Sequence, residues 1–261
     1  MMDKSKIEKY GDELYDALIN RKAVAPLTDR EADITIEDAY QIQQRMIQRR
    51  VDAGETIIGK KIGVTSKVVM DMLKVNQPDF GMMTSGMVFN EGEAIDTSTM
   101  IAPRAEAEVA FVLKSDLQGP GVTAADVLRA TECVVPCFEI VDSRIQDWKI
   151  KIQDTVADNA SCGVLVLGGR RKSPADIDLA LAGMVLEKNG EIISTSTGAA
   201  VQGSPVNAVA WLANTLGNLG IGLKAGEVIL SGSQSPLVPV KAGDSLVCTV
   251  GGLGGTSVRF I

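Results

Sequence analysis

The sequence predicts an α+β fold in which a β-rich core carries a small helical portion at its N-terminus. Residues before Gly54 show helical periodicity, whereas the residues after it form short β-branched segments punctuated by glycine. These segments do not alternate regularly with helices, which argues against a Rossmann or TIM-barrel architecture. We therefore assign residues 1–55 to a helical cap portion and residues 56–261 to a β-rich core, the two forming effectively one domain.

The N-terminal portion contains two helical signals. Residues 12–21 continue an amphipathic start. Thr35 and Asp38 have the spacing of a capping box, so a second helix is expected to begin after Thr35 and to run to about residue 53. Gly54 is a plausible stop for this helix because glycine favours the end of a helix.

The core contains a succession of segments with the composition of strands. They are ETIIGKKIGV, SGMVFNEG, EAEVAFVL, CVVPCFEIV, GVLVLGG, GMVLEKNGEII, GEVILSGS and DSLVCTVGGLGGTSVRFI. The pair Asn189-Gly190 stands between two strand-like runs and predicts a hairpin. Two helices interrupt the strands, over residues 124–131 and residues 205–216, and Ser204 is the expected N-cap of the second.

The composition excludes several classes of function. The chain of 261 residues has a net charge of -7 and no basic stripe, so nucleic acid is not an expected partner. It contains no histidine, which excludes a Ser-His-Asp triad, a Cys-His pair and a zinc ion bound by imidazole. Acid-base chemistry must therefore use carboxylates, lysine, tyrosine, cysteine or metal-bound water, and a metal site must consist largely of oxygen ligands.

The sequence also predicts a cytoplasmic protein that does not enter a membrane. The start, MMDKSKIEKYGDELYDAL, is charged and lacks the apolar segment of a signal peptide. No window approaches the apolar run that a membrane span requires. The four cysteines lie in apolar stretches and are interpreted as reduced, buried thiols.

Three glutamates form the first candidate site. Glu106 and Glu108 point to the same face of a strand whose other face is apolar, so they repel each other unless a cation lies between them or the face is solvated. Glu139 is flanked by apolar residues and should be neutralised, hydrogen-bonded or bound to a metal. A plain ion pair with Arg144, or with one of the lysines at positions 149 and 151, is the alternative.

Two lysines and two polar segments complete the candidates. Lys60 and Lys61 are adjacent in a strand, so only one is expected to point inward, where it could hold a substrate carboxylate or move protons. Both could instead lie at the surface. Asp79 is the one acid of a predicted loop over residues 75–81. The polar run 154–163 could bind a ligand, although Asx-turns and caps explain such runs more often.

Together these motifs resemble one family over a span from about residue 10 to the C-terminus. GKKIGVTS, QPDFG, PRAEAEVAFVL, CFEIVDSRIQDWKIKIQDTVADNASCG, GSPVNAVAWLAN and KAGEVILSGS are similar to the hydratase branch of the fumarylacetoacetate hydrolase superfamily. The resemblance implies a mixed β-roll core and a divalent metal, Mg²⁺ or Mn²⁺. Its ligands would be Glu106, Glu108 and Glu139.

The same resemblance implies a reaction, hydration of 2-hydroxypenta-2,4-dienoate to 4-hydroxy-2-oxopentanoate in the meta-cleavage breakdown of aromatic compounds. Lys61 and Asp79 are the candidates for proton transfer and substrate binding, with Lys60 as the alternative lysine. Ser161 and Thr65 are the candidates for contact with the substrate. Such hydratases form large homo-oligomers, and some pair with a related decarboxylase.

Other functions remain open. The related 4-oxalocrotonate decarboxylase would use the same fold and metal, and a hydratase for longer dicarboxylic 2-oxoalkenoates is a further possibility. An idle scaffold subunit that supports a partner enzyme is the non-enzymatic alternative, although the three glutamates and the lysine argue against it. A hydrolase of acylpyruvates is disfavoured because such enzymes commonly use a histidine.

Overall fold

The computed structural model describes residues 2–261, with the side chains of all of these except residues 68, 72 and 73. Helices in this range are α1 (Lys4–Asn20), α2 (Leu27–Arg30), α3 (Ile36–Asp52), α4 (Lys67–Leu73), α5 (Ala124–Ala130), α6 (Ile152–Ala157) and α7 (Pro205–Gly217). Strands are β1 (Ile57–Gly63), β2 (Asp79–Thr84), β3 (Val88–Asn90), β4 (Ala94–Ile95), β5 (Arg104–Leu113), β6 (Thr131–Val141), β7 (Cys162–Leu167), β8 (Gly183–Lys188), β9 (Glu191–Thr197), β10 (Val228–Leu230), β11 (Val238–Pro239), β12 (Ser245–Val250) and β13 (Gly254–Phe260).

Helix α3, in the N-terminal portion, begins where the sequence predicts it. The Thr35 hydroxyl accepts a hydrogen bond from the Asp38 amide at 3.1 Å, and the Asp38 carboxylate accepts one from the Thr35 amide at 3.2 Å. This capping box satisfies amides that the first turn of α3 leaves free. Helices α1 and α3 pack together through buried apolar side chains such as Leu14 and Ile42, and Val156 of α6 belongs to the same cluster. The N-terminal helices therefore share a core with the segment that precedes β7.

Two mixed sheets form the rest of the molecule. The larger has eight strands in the order β2-β1-β10-β5-β6-β7-β3, with β11 paired to one end of β5. The smaller has five strands in the order β4-β13-β12-β8-β9. The pairs β1–β10, β3–β7 and β4–β13 are parallel and the other pairs are antiparallel. The predicted α+β class with mixed sheets is confirmed.

Strand β5 separates an apolar face from a charged one. Val109 and Phe111 point into the main core, which also contains Leu212 of α7 and Phe260 of the smaller sheet. The alternate residues of β5 point to the opposite face of the larger sheet, as the twofold periodicity of a strand requires. This second face carries the glutamates of β5 near the start of the strand.

Several local predictions are confirmed. The Asn-Gly pair forms the turn between β8 and β9, with φ of 54° at Asn189 and 85° at Gly190, the values that such a hairpin turn needs. Helix α7 begins after Ser204, whose hydroxyl accepts a hydrogen bond from the Val206 amide. Helix α5 occupies the predicted position.

The predicted loop over residues 75–81 is partly wrong. Residues Asp79–Thr84 form β2, an edge strand of the larger sheet in which every residue is buried. Burial on both faces removes the alternation of polar and apolar residues that marks a strand in sequence. Pro78 and Gly81 then give the segment the composition of a turn.

A membrane-spanning helix is not found in this fold. Over residues 2–261, none of the helices combines the length and the apolar character that crossing a bilayer requires.

Candidate metal centre and cleft

The three glutamates meet on the charged face of the larger sheet. Strands β5 and β6 are antiparallel, and their register sets Glu106 directly opposite Glu139. Glu108 follows two residues later on the same face of β5. One carboxylate oxygen from each of the three residues lies within 4.8 Å of the other two. The predicted grouping of Glu106, Glu108 and Glu139 is therefore present in the structure.

Three of the four carboxylate oxygens of Glu108 and Glu139 accept no hydrogen bond from the described residues. The Gly232 amide donates to Glu108 Oε2 at 2.8 Å. Within the described part of the chain, Glu108 Oε1 and both carboxylate oxygens of Glu139 accept no hydrogen bond, although both residues are fully buried. Burying a carboxylate is costly when most of its oxygens accept no hydrogen bond. The set consists only of oxygen donors, so it fits a hard divalent cation such as Mg²⁺ or Mn²⁺.

Burial and mutual repulsion also change the acidity of the cluster. The pKa of Glu106 is raised to about 8, first by burial and then by the charge of Glu139, while Lys61 opposes the rise. Burial likewise raises the pKa of Glu108 well above its usual value, with Glu139 and Glu106 adding to the effect. A bound cation would favour the charged forms of these carboxylates.

Lys61 lies beside the cluster. Its Nζ is 3.1 Å from Glu139 Oε1, close enough for an ion pair although the orientation is not that of a hydrogen bond. Burial alone would lower the pKa of Lys61, but attraction to Glu139 and to Asp79 outweighs burial and raises it. Lys61 is 3% exposed and keeps its charge at neutral pH. It brings one positive charge to a group of buried acids.

Asp79 reaches the same region from the neighbouring strand. It is the first residue of β2 and pairs with Gly63 of β1, two residues beyond Lys61 on the same face. A Cβ atom at Gly63 would stand 2.2 Å from Asp79 Oδ1, so only glycine leaves room for this carboxylate. Burial raises the pKa of Asp79 to about 6, while Lys61 opposes the rise. A carboxyl with this pKa can exchange protons near neutral pH.

The structure does not bring Lys60 to this site. Lys60 points to the opposite face of β1, where its Nζ lies 2.5 Å from Glu227 Oε1 in a nearly buried ion pair. Adjacent residues of a strand face opposite ways, so the position of Lys61 determines that of Lys60. The structure therefore does not support the catalytic role predicted for Lys60.

The structure also contradicts the alternative partners of Glu139. Arg144 is fully buried, and its Nε lies 2.5 Å from Asp158 Oδ1 instead. Lys149 pairs with Asp147 at 3.2 Å on the surface, and Lys151 is exposed to solvent. Among the described side chains, Lys61 is the cation paired with Glu139.

Thr65 packs beside the glutamate cluster. Its Oγ1 lies 2.4 Å from the position that a Cβ of Gly232 would take, and the Gly232 amide is the donor to Glu108. Thr65 is buried, so its hydroxyl belongs to the interior of the site region.

Ser161 lies in an unusual turn between α6 and β7. Asn159, Ala160 and Ser161 all have positive φ, between 50° and 55°, which is uncommon for residues other than glycine. The Asn159 side chain fixes the turn against β2, because its amide accepts from the Met82 N–H at 2.8 Å and donates to the Met82 carbonyl at 2.9 Å. Ser161 is buried, and its Oγ lies 3.3 Å from Thr155 Oγ1.

The remainder of the polar run 154–163 has structural partners. The Asp154 carboxylate accepts from the Thr28 amide and hydroxyl and from the Lys151 amide at the start of α6. The cap interpretation of this run is thus confirmed for Asp154. The hydrogen bonds between the Asn159 side chain and the Met82 backbone were not predicted, because Met82 is remote in sequence.

A cleft of about 540 Å³ opens at Asp79. Its lining residues are Ile36, Tyr40, Asp71, Lys74, Val75, Asn76, Gln77, Pro78, Asp79, Ile152 and Val156. One wall is thus helix α3, which the sequence assigned only to a cap. Tyr40 was missed as a candidate because its apolar spacing within α3 identifies it equally well as a core residue.

The two mixed sheets, the three glutamates and the neighbouring Lys61 define a class of protein. Residues 60–260 match the family model described as fumarylacetoacetate (FAA) hydrolase, C-terminal. The chain belongs to this family, and the resemblance inferred from the motifs is confirmed.

Individual relatives are similar over nearly the whole chain. A 2-hydroxyhexa-2,4-dienoate hydratase of Comamonas testosteroni is 58% identical over 100% of this chain and 99% of its own length. A 2-hydroxypent-2,4-dienoate hydratase of Pseudomonas putida is 65% identical over 84% of this chain and 100% of its own length. The solved structure of 4-oxalocrotonate decarboxylase from Pseudomonas putida G7, complexed with magnesium and adipate, is 35% identical, with a TM-score of 0.97 over 100% of this chain and 99% of that one.

Proposed function

We propose that this protein is a metal-dependent hydro-lyase that adds water to 2-hydroxypenta-2,4-dienoate and forms 4-hydroxy-2-oxopentanoate, in the meta-cleavage breakdown of aromatic compounds. The observation that carries the proposal is the cluster of three glutamates beside Lys61 and Asp79, in a chain 58% and 65% identical to relatives named as dienoate hydratases.

Glu106, Glu108 and Glu139 are the proposed metal ligands, and Mg²⁺ or Mn²⁺ is the proposed ion. The support is the set of buried carboxylate oxygens that accept no hydrogen bond, together with the magnesium named in the structure of the similar decarboxylase. When bound, such an ion supplies Lewis-acid polarisation of a substrate's 2-oxo group and carboxylate.

The protein's own groups have separate proposed tasks. Lys61 attracts the anionic substrate, because its charge remains beside acids that a cation would neutralise. The hydroxyls of Ser161 and Thr65 contact the substrate by hydrogen bonds. Asp79 accepts and returns protons, because its raised pKa lies near working pH.

These tasks fit the chemistry of hydration. The dienol first loses its hydroxyl proton and gains one at C5, which gives a conjugated ketone. Water then forms a bond to C4 while one of its protons passes to the Asp79 carboxylate. The electron pair of the C3=C4 bond moves toward the C2 oxygen, and a proton returned to C3 completes the addition.

A second candidate function is decarboxylation of a 2-oxo dicarboxylate. It is favoured by one observation, the TM-score of 0.97 with 4-oxalocrotonate decarboxylase. A longer-chain substrate is the related alternative, since one relative is named for a hexadienoate. An idle scaffold subunit would need no metal, so a metal titration distinguishes it from both enzymes.

We also propose that copies of the chain assemble into a homo-oligomer, which can form a complex with the related decarboxylase. Ile192 and Val247 support an interface between copies. Glu187 of β8 is the register partner of both Ile192 in β9 and Val247 in β12, so the three residues form one row across the sheet. Ile192 is 66% exposed and Val247 is 39% exposed. Exposed apolar side chains grouped on one sheet face are typical of an interface between subunits.

The decisive experiment follows freshly generated 2-hydroxypenta-2,4-dienoate by its ultraviolet absorbance with Mg²⁺ or Mn²⁺ present. We expect the absorbance to fall, the product to gain the mass of one water, and a chelator to stop both. Release of carbon dioxide from 2-oxo-3-hexenedioate, without hydration of the dienoate, would replace the proposal with the decarboxylase reaction.

A further inference from the structure

One wall of the cleft at Asp79 is formed by helix α3, whose residues have no role in the hydration proposed above. Tyr40 of α3 lines it together with Asp79. Tyr40 is half-buried, so part of its side chain faces the cleft and part packs into the protein. An aromatic side chain with a polar tip suits such a boundary position.

The ring of Tyr40 has a fixed position relative to Asp79. It stacks on the ring of Phe80, the residue next to Asp79 in β2, with centroids 4.3 Å apart and planes at 14°. Gln43, one turn further along α3, donates to the Phe80 carbonyl at 2.9 Å and to the Val156 carbonyl at 3.0 Å. Helix α3 is thereby tied to β2 on one side of Tyr40, and the stacked ring sets Tyr40 beside the residue that follows Asp79.

The hydroxyl is a permanent hydrogen-bond donor. Burial raises the pKa of Tyr40, and the negative charge of Asp79 raises it further. The phenol is therefore protonated at neutral pH. It can donate one hydrogen bond and accept others, unlike the acceptor-only carboxylate of ionised Asp79.

We propose that the Tyr40 hydroxyl binds the oxygen that becomes bonded to C4, first as water and afterwards as the hydroxyl group of the product. This inference rests on the proposed hydration and extends it to a residue outside the β-rich core. Tyr40 transfers no proton in this scheme. It holds the water while the new C4–O bond forms and a water proton passes to Asp79.

The test compares two ligands that differ only at C4. Isothermal titration of the metal-loaded protein with 4-hydroxy-2-oxopentanoate and with 2-oxopentanoate measures how much the C4 hydroxyl contributes. We expect the native protein to bind the hydroxylated acid about 3- to 10-fold more tightly, the value of a single hydrogen bond. The variant Tyr40→Phe should bind both acids equally, because it removes the hydroxyl and keeps the stacked ring.

A matched control is Tyr15→Phe. Tyr15 is also half-buried, but it lies in α1 with Arg49 over its ring and does not line the cleft. It should retain the full preference for the hydroxylated acid. In turnover, Tyr40→Phe should lower kcat about tenfold or more while the KM changes little, because a mispositioned water slows the chemical step.

The outcomes separate this inference from the proposed function. An unchanged preference in Tyr40→Phe, or no preference in the native protein, overturns the role of Tyr40 even if the dienoate is hydrated. Loss of the preference in Tyr40→Phe alone supports the contact even if the native protein fails to hydrate the dienoate. In that case only the proposed reaction is wrong.

Discussion

At the scale of single residues, Lys60 and Lys61 have the same side chain and opposite surroundings. Lys61 faces Glu139 and Asp79, whereas Lys60 faces Glu227 on the other side of β1. Two adjacent substitutions can therefore separate a role in the site from a role in stability. Methionine is suitable for both, because it keeps most of the volume and removes the charge.

We expect Lys61→Met to raise the KM for the dienoate about tenfold or more, because an anionic substrate loses its nearest positive charge. The same change should strengthen binding of Mn²⁺, since a positive charge beside Glu139 repels a cation. Steady-state kinetics and a Mn²⁺ titration measure the two effects. A KM equal to that of the native protein would exclude contact between Lys61 and the substrate.

Lys60→Met is the control for this prediction. Removing one partner of a largely buried ion pair leaves Glu227 with the Lys224 amide as its donor and no nearby cation, so the free energy of unfolding should fall by about 1–3 kcal/mol. The KM of the folded fraction should stay within about twofold of the native value. A large change in KM would show that Lys60 affects substrate binding and not only stability.

At the scale of elements, the connection from α6 to β7 is held by Arg144. Its guanidinium donates to the carbonyls of Asp142, Asp158 and Cys162 and to the Asp158 carboxylate. Burial raises the pKa of Asp158 to about 6 although Arg144 opposes this rise. These hydrogen bonds of Arg144 therefore join the end of β6 to the left-handed turn that contains Ser161.

We expect Arg144→Met to lower the free energy of unfolding by about 3–5 kcal/mol, because the buried Asp158 carboxylate would lose its cation and keep only the backbone amide of residue 144 and the Ser143 hydroxyl as donors. Denaturant unfolding measures this loss. The double variant Arg144→Met with Asp158→Asn should lose clearly less than the sum of the single variants, since the unpaired charge is then absent. Strict additivity would contradict the pairing.

How far sequence predicts these elements depends on where their partners lie. Helix α3 and the turn at Asn189 and Gly190 were predicted correctly because their determinants are neighbours in sequence. Strand β2 was missed because its strand character depends on burial between β1 and the turn at Asn159, which are distant in sequence. Local composition there indicates a loop.

The candidate site follows the same rule. The shared face of Glu106 and Glu108 was predictable because two residues in one strand fix it, and Glu139 was found from its apolar flanks. The register that sets Glu139 opposite Glu106 is a long-range property. Tyr40 could not be recognised, because its place in the cleft beside Phe80 results from packing between α3 and β2.

At the scale of the whole molecule, the acidic cluster affects folding as well as binding. In the metal-free protein, Glu106 has a pKa of about 8 against 4.5 in an exposed glutamate, and the pKa of Glu108 is also well above that value. Between the two values the folded chain binds more protons than the unfolded chain. The free energy of unfolding therefore falls as pH rises through this interval.

We expect the melting temperature of the metal-free protein to fall as the pH increases from about 5.5 to about 8, with a chelator present throughout. Mn²⁺ should reverse this trend, because binding displaces the protons and its affinity increases with pH. Differential scanning fluorimetry across this range, with and without Mn²⁺, measures both curves.

The double variant Glu106→Gln with Glu108→Gln should show a flatter metal-free curve and little response to Mn²⁺, because the groups that bind protons and metal are gone. A native protein whose melting temperature rose with pH without metal would show that the cluster is already charged in the folded state, and another cation would then have to neutralise it.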